Sequence, residues 1–557
     1  MTGQEHDEYR RRGETSPRGI PKVIGYDGEV ANFIRGLRQP GGTSRDASRL
    51  LIREISSSSQ PSSKFYVNCP CRDCERHREK SQQRYGHDHG HSVPLNTWSG
   101  YASAVLNEIS TSTAGYDPRD HERRYLTENG GCVYIDLDHV ELCLPETRSV
   151  YDHVACWHAE LRILRRALDA ANEKLPDGQK IHVLINNSDG KGNSYGSHMN
   201  FLVTRRCWRN IFERKMQYLL YLAAYQVSSI VFTGQGKVGS ENHSPDVDYQ
   251  LSQRADFIEQ IAGPQTTYSR PIVNSRDEPH CNGDMARLHA IFFDNTLCHV
   301  SSFLKAGVMQ IVLAMIEAEY INHRLVLDDP VCALKTWSHD PGLRAVARLC
   351  SGSGITAVEL QSRFLEEATR FVGRGQCDGI VPHADKIIDL WADTLAKLEA
   401  RDLPALSGRL DWVLKLSIVE SIMDERRELH WKHPAVKLLD HVYSSLDLKE
   451  GLFWAYEAGG HVERVVSEAD IDRYTSNPPA DTRAWTRAML LRRAGSHRVA
   501  DVDWDHIRFV VGDDDFSCQH RTVTMPDPLD SGHETWNGVF ESDASLDVIL
   551  DALDQWV

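Results

Sequence analysis

The chain predicts an α+β fold, and three observations carry that reading. Short apolar runs suited to strands stand at Lys22–Ile24, Val133–Leu137 and Ile181–Ile185. Between them Trp157, Leu161, Leu164 and Leu168 recur at helical spacing and mark a helix over 152–173. Helical and short extended stretches go on alternating to about residue 448, with no internal repeat.

In chain order, residues 1–20 are rich in charge, Gly, Ser and Pro, and read as a disordered tail. Residues 21–448 form a large first unit, interrupted at 36–93 by a polar insert that contains Ser56–Ser59 and a Cys/His cluster and reads as a loop or lid. The strand at Ile181–Ile185 runs into a Gly/Asn/Ser-rich loop, NNSDGKGNSYGSH, over 186–198. A small α/β unit occupies 449–509 and an acidic extension 510–557.

Composition narrows the function. With 557 residues, 41% hydrophobic and 25% charged, this is an ordinary globular composition with length for two to four domains. The net charge is −16, and from Asp501 onward 14 acids face only Arg508 and Arg521. The preceding 500 residues are near neutral, which argues against a nucleic-acid or anionic-membrane surface. The most apolar stretches, 216–232 and 303–321, carry Gln and Tyr or Lys and Glu and read as buried helices. The polar start lacks a signal core, and thirteen cysteines spread along the chain suit reduced thiols, so a cytoplasmic protein is expected.

Five places carry chemistry. In CPCRDC the residues Cys69, Cys71 and Cys74, followed by His77 and by His87, His89 and His91, could hold zinc, although the spacing is not that of a standard knuckle and a metal-free polar insert fits equally. In KVIGYDGEV, Asp27 and Glu29 are two apart and share one strand face. In VYIDLD, Tyr134, Asp136 and Asp138 share another, while His139 and Glu141 join it only if the strand ends near Asp138. Paired carboxylates on two strands suit Mg²⁺ with nucleotide phosphates, and they suit equally the solvated face of an edge strand. The loop offers Asn187, Lys191 and three glycines to a phosphate, without the spacing of a Walker loop. Finally SRPIVNSRDEPH supplies Arg270, Arg276 and His280 as anion clamps and a metal or proton partner, or as members of salt bridges with Asp277 and Glu278.

These segments together resemble the Pup ligase/deamidase family of glutamine-synthetase-like carboxylate–amine ligases. The resemblance is collinear from about Val23 to Phe509. Its motifs are Ile24-Gly25-Tyr26-Asp27-Gly28-Glu29, YIDLDHVE at 134–141, the loop at 186–198, YQLSQRADF at 249–257, RPIVNSRDEPH at 270–280, LDWVLKL at 410–416, GLFW at 451–454 and PPADTRAWTR at 478–487. It implies a curved antiparallel sheet cradle flanked by helices, with a small C-terminal domain. It further implies ATP or ADP and Mg²⁺, with Asp27, Glu29, Tyr134, Glu141, His198 and His280 at the metal and Arg254, Arg270, Arg276, Lys191 and Asn187 at the nucleotide. Asp136 takes the place of the catalytic aspartate, and the partner implied is a Pup-like protein or its conjugates.

The wording Asp189-Gly190-Lys191-Gly192, and the 104 residues between Glu29 and Tyr134, lean toward the deamidase/depupylase branch. An ATP-dependent ligase working through an acyl phosphate is the alternative, and a catalytically weakened nucleotide-binding regulator the second. That last reading is motivated by departures from the family wording. Asp27 stands for Glu, Val140 for Pro, and Met199 replaces a carboxylate, which is expected to weaken Mg²⁺ binding unless Asp138 substitutes for it. The acidic extension could act as an intramolecular mimic of an acidic ligand.

Overall fold

The computed structural model describes residues 19–37, 43–56, 123–495, 498–511 and 519–554. Its centre is a mainly antiparallel sheet. The strands are β1 (Ile24–Arg35), β2 (Arg124–Tyr125), β3 (Cys132–Asp136), β4 (His139–Cys143), β5 (Lys180–Leu184), β6 (Ser197–Thr204) and β11 (Met285–Ala290), and they run in the order β11-β6-β1-β4-β3-β2, with β5 paired to the outer half of β1. Three short pairs lie outside this sheet: β7 (Lys237–Val238) with β8 (Tyr249–Gln250), β9 (Ile258–Gly263) with β10 (Arg270–Asn274), and Ala347–Arg348 with Gly354–Ile355.

The period-two pattern of β1 splits the sheet into two chemistries. Ile24, Tyr26, Gly28 and Val30 are buried against the helices, whereas Gly25, Asp27 and Glu29 point to the open face. Beneath the sheet lies the helix Val150–Glu173, started by Ser149, whose side chain accepts from Tyr151 N. It buries Val150, Val154, Trp157, Leu161, Leu164 and Leu168. Beside it the helix His299–Glu317 is long and apolar enough to cross a membrane, yet the window that qualifies it is 100% buried inside the protein, so it is a core helix.

Two expectations need correcting. Within the stretch expected to be a loop, residues 43–56 form a helix, because Ala47, Leu51, Ile52 and Ile55 recur at helical spacing and are buried against β1 and the helix Val150–Glu173. The Cys/His cluster Cys69, Cys71, Cys74 and His77 lies outside the described residues. The break expected at 509/510 is also absent. The strand Gln519–Thr524 pairs with His506–Val511, Ile507 opposite Val523, and Trp536, Phe540, Ile549, Leu550 and Leu553 share one core with Trp485, Leu490, Ile507 and Phe509. The extension folds because its acids take the outer side, where Asp547 meets Arg498 at 2.8 Å and Asp551 meets Arg521 at 2.7 Å. Over residues 519–554 it is therefore part of a folded unit and not a free mimic of an acidic ligand.

Candidate active site

Register brings the open face together. Asp27 stands opposite His198 on β6 and opposite Cys143 on β4; Glu29 stands opposite Glu141, which in turn stands opposite Tyr134 on β3. β3 ends at Asp136, and the two-residue turn Leu137–Asp138 sends β4 back beside it, which is how Glu141 reaches the site. Asp138 is excluded by the same turn: it is half-exposed, takes Arg45 Nε at 2.8 Å, and its carbonyl accepts from Ser48 Oγ at 2.7 Å. The substitution of Asp138 for a missing ligand is thus overturned. Met199 raises no such need, because it pairs with Tyr26 on the opposite face and is fully buried in the core.

Two ligand groups result, sharing Glu141. One offers Asp27, Glu141 and His198, the other Glu29, Asp136 and Glu141, with the donor atoms of each group within 4.8 Å of one another. Burial pushes the Glu29 carboxyl up to about 7, and the Asp136 charge adds to the push. Glu141 is raised strongly, by burial first and then by Asp136, Glu29 and Asp27. Asp27 is raised by burial, with the Arg287 guanidinium pulling it partly back. His198 is kept neutral by burial and by the positive charge of Arg254 and Arg270. Several carboxylates and a neutral imidazole, desolvated and mutually repelling, are stabilised by a hard divalent cation, and the donor set fits one.

An anion site adjoins it. Arg254 is buried, donates Nη1 to Ser194 Oγ at 3.3 Å and to the Tyr195 carbonyl, and leaves Nε and Nη2 buried without partners. Burial first and then the Arg270 charge lower its pKa to about 9, against the pull of Asp294 and Glu29. Arg270 donates Nη2 to Ser194 O at 3.1 Å and Nε to Thr266 O at 2.8 Å. Two guanidiniums near Glu29, one with idle donors, fit a phosphate.

The remaining expected residues are spread more widely. Tyr134 stays a phenol, its pKa raised by burial, and hydrogen-bonds Glu141. Arg276 is half-exposed and reaches His198 and His289 only through its charge. His280, at φ 47°, lies toward Arg287, Asp503 and Asp505 and belongs to neither ligand group. Asn187 is a buried strut, accepting from Asn295 N at 2.6 Å and donating to Tyr195 O at 3.1 Å. Lys191 stands on the exposed loop tip, whose N–H groups are already committed: Gly190 to Ser188 Oγ (3.1 Å), Lys191 and Asn193 to Asp189 Oδ1 (2.7 and 3.0 Å), Gly192 to Glu241 Oε1 (3.0 Å). The tip as it stands offers no free cradle to a phosphate. What the loop does deliver is Gly196, whose N–H meets Glu29 Oε2 at 2.8 Å.

Sequence reasoning missed Asn200, Arg287 and His289. Asn200 donates to Asp27 at 3.1 Å and accepts from Arg287 at 3.1 Å, with His289 Nδ1 2.8 Å from the same oxygen. The signal was there: Asn200 follows His198 by two on one strand, and Arg287 and His289 alternate in MARLHA.

Comparison with known proteins agrees with this arrangement. A family model described as "Pup-ligase protein" matches residues 29–508. A Pup–protein ligase from Acidimicrobium ferrooxidans is 36% identical over 413 residues, 73% of this chain and 87% of that protein. A Pup deamidase/depupylase from Mycolicibacterium smegmatis is 37% identical over 387 residues, 69% of this chain and 75% of that protein. The fold matches the ligase PafA solved with Pup at TM-score 0.72 and 21% identity, over 96% of this chain and 95% of that one, and PafA solved with ADP at TM-score 0.67 and 23% identity, over 83% and 95%. With a family model matched over residues 29–508 and relatives 36% and 37% identical over about seven-tenths of its length, the chain belongs to the Pup ligase family.

Proposed function

We propose that the protein is a nucleotide-dependent amidohydrolase of the deamidase/depupylase type, cleaving a side-chain amide or isopeptide bond of a Pup-like protein in the cytoplasm. The single observation that carries the reading is the Glu29–Asp136–Glu141 cluster beside Arg254 with its idle donors. In this reading Asp27, Glu29, Glu141 and His198 hold Mg²⁺, Tyr134 steadies Glu141 by its hydroxyl, and Arg254 and Arg270 hold phosphate oxygens of ATP or ADP. When bound, the cation supplies positive charge that offsets the clustered carboxylates and polarises an oxygen next to it. Asp136 ends β3 at the turn and is only partly buried, so it can meet an incoming amide. It either attacks the amide carbon, expelling ammonia or a lysine amine and leaving an acyl anhydride that water then hydrolyses to two carboxylates, or takes a proton from a water that attacks the amide carbon directly. The amide nitrogen leaves with a proton and the oxygen of water ends on the carboxylate. The reduced thiols at the described cysteines suit the cytoplasm.

Relatives named as ligase and as deamidase/depupylase stand at nearly equal identity. The wording Asp189-Gly190-Lys191-Gly192 favours hydrolysis. The regulator reading loses half its motive, since Met199 faces the core and not the carboxylates.

Purified protein with Mg²⁺ and ATP, given a Pup-like protein ending in Gln and its Glu-ended form, tests the proposal. Ammonia from the Gln form without stoichiometric ADP is the expected result. ADP formed in step with a new amide bond would move the protein to the ligase side. Asp136→Asn is expected to lower turnover at least about 10³-fold, near the limit of what a positioned acid or base supplies, while nucleotide binding survives. Zinc analysis of the same preparation tests the insert.

A further inference from the structure

The loop between β5 and β6 is held at its tip by one side chain from outside it. Glu241, on the connection between β7 and β8, accepts the Gly192 N–H on Oε1 at 3.0 Å and the Ser188 hydroxyl on Oε2. Among the described residues no other side chain from beyond the loop accepts an N–H of residues 188–193; outside the tip, Gln253 accepts from Asn187 N at 2.5 Å, and Arg254 and Arg270 hold Ser194 and Tyr195. Glu241 is itself fixed: its N–H donates to Asp256 Oδ2 at 2.9 Å, and Lys237 Nζ lies 3.1 Å from its carboxylate and 2.7 Å from that of Asp256. Lys237 and Asp256 are buried, and Asp256 also takes Gln250 Nε2 at 2.8 Å and His339 Nε2 at 3.2 Å. The anchor therefore keeps its own ion pair whether or not Glu241 is present. At the other end of the loop, Gly196 donates to Glu29 Oε2 at 2.8 Å and accepts from Glu29 N at 3.1 Å, two residues before His198.

We propose that Glu241 is a positioning residue for the carboxylate site: by latching the loop tip to the Lys237–Asp256 pair it fixes Gly196 against Glu29 and sets the spacing of Glu29 and His198. The inference rests on the metal–nucleotide reading of that site. It assigns work to a partly buried acid that the proposed chemistry does not use. It also explains why a glycine-rich loop spends its N–H groups on carboxylates: the loop is a strut for a ligand and not a phosphate cradle. Outer partners that orient a metal ligand commonly matter 10- to 100-fold in affinity.

The test compares the full chain with Glu241→Ala and Glu241→Gln. Mg-ADP affinity by calorimetry, KM and kcat for amide release, melting temperature, and hydrogen exchange over 188–198 are measured for each. Glu241→Ala is expected to weaken Mg-ADP binding by about tenfold, raise the nucleotide KM more than it lowers kcat, and speed exchange across the loop, with little change in melting. Glu241→Gln, whose amide oxygen can still accept from Gly192, is expected to recover most of the loss. Unchanged affinity and exchange in Glu241→Ala overturns the latch, and so does a uniform fall of melting temperature, kcat and affinity together. If the unaltered protein binds no nucleotide, the site reading fails, and exchange at Gly196 still decides the latch.

Discussion

A single missing methyl group is what lets Glu29 and His198 share one end of the sheet. A Cβ on Gly196 would sit 2.8 Å from Glu29 Oε1 and 2.9 Å from the His198 ring, closer than real Cβ atoms come. Gly196→Ala is therefore expected to displace both ligands and cut divalent-cation affinity by about 10- to 100-fold, read by Mg²⁺ or Mn²⁺ titration. Glu160 offers a test of burial away from the site. Its carboxyl is completely buried, with Oε1 bonded to Asn129 at 2.9 Å and Oε2 without a partner, and burial raises its pKa from 4.5 to about 8. The fold thus holds a proton that the unfolded chain releases. The Glu160 contribution to stability is full below about pH 4.5 and is lost as the pH rises towards 8. Glu160→Gln should melt with the unaltered protein near pH 5 and above it near pH 9, by an amount on the order of 3 kcal/mol.

At the scale of strands and turns, the carboxylate face was legible and its edges were not. Period-two alternation placed Asp27 with Glu29 and Tyr134 with Asp136 because a strand leaves no other choice. It failed at Asp138, where a turn residue, Leu137 at φ 51°, ends the alternation; a leucine gives no warning of a left-handed backbone, as Gly or Asn would have done. Periodicity within β6 could separate Met199 from His198, but only the pairing of Tyr26 with Met199 shows which side is the core. That register makes a prediction. Met199→Leu, which conserves volume in the core, should cost less than about 1.5 kcal/mol and leave Mg²⁺ affinity unchanged, measured by denaturation and calorimetry. A marked loss of cation affinity would place the side chain on the wrong face. Alternation puts Asn200 on one face with His198, and Arg287 on one face with His289, but polar residues on a strand do not announce the neighbour they will meet across it, so the contact of Asn200 with Asp27, Arg287 and His289 needed the register.

At the scale of the whole molecule, charge misled and packing decides. Fourteen acids against two arginines from Asp501 onward suggested an acidic extension beyond the small domain that could mimic an acidic ligand. The apolar residues between them are at helical and strand spacing, however, and Met525, Trp536, Phe540, Leu546, Ile549, Leu550 and Leu553 are all at most 9% exposed. Each such side chain is worth about 1.5–3 kcal/mol of burial, so together they rival the 5–15 kcal/mol that holds a typical domain. A buried ion cluster ties this unit to the sheet. Glu146 accepts from Arg483 Nε at 2.8 Å and from Arg487, and Arg483 also reaches the carbonyls of His280 at 2.7 Å and Met525 at 3.0 Å. Burial alone would raise the Glu146 carboxyl, but the two arginines overcome it and bring the pKa from 4.5 down to about 2. Its contribution is thus complete above about pH 4.5 and disappears as the pH falls through 2. Glu146→Gln leaves two buried guanidiniums uncompensated and should destabilise the protein by about 3–5 kcal/mol at pH 7, with the gap to the unaltered protein closing as the pH falls towards 2. Truncation after Val511 takes the argument further. An inhibitory tail, once removed, would leave a faster enzyme. A core-forming segment, once removed, leaves exposed Ile507 and Phe509, a lower melting temperature and aggregation, and it takes from Arg483 the Met525 carbonyl that accepts its Nη1, next to the His280 carbonyl that the same group holds. The expected result is loss of soluble protein and of activity together, and a stable, more active truncation would restore the autoinhibitory reading.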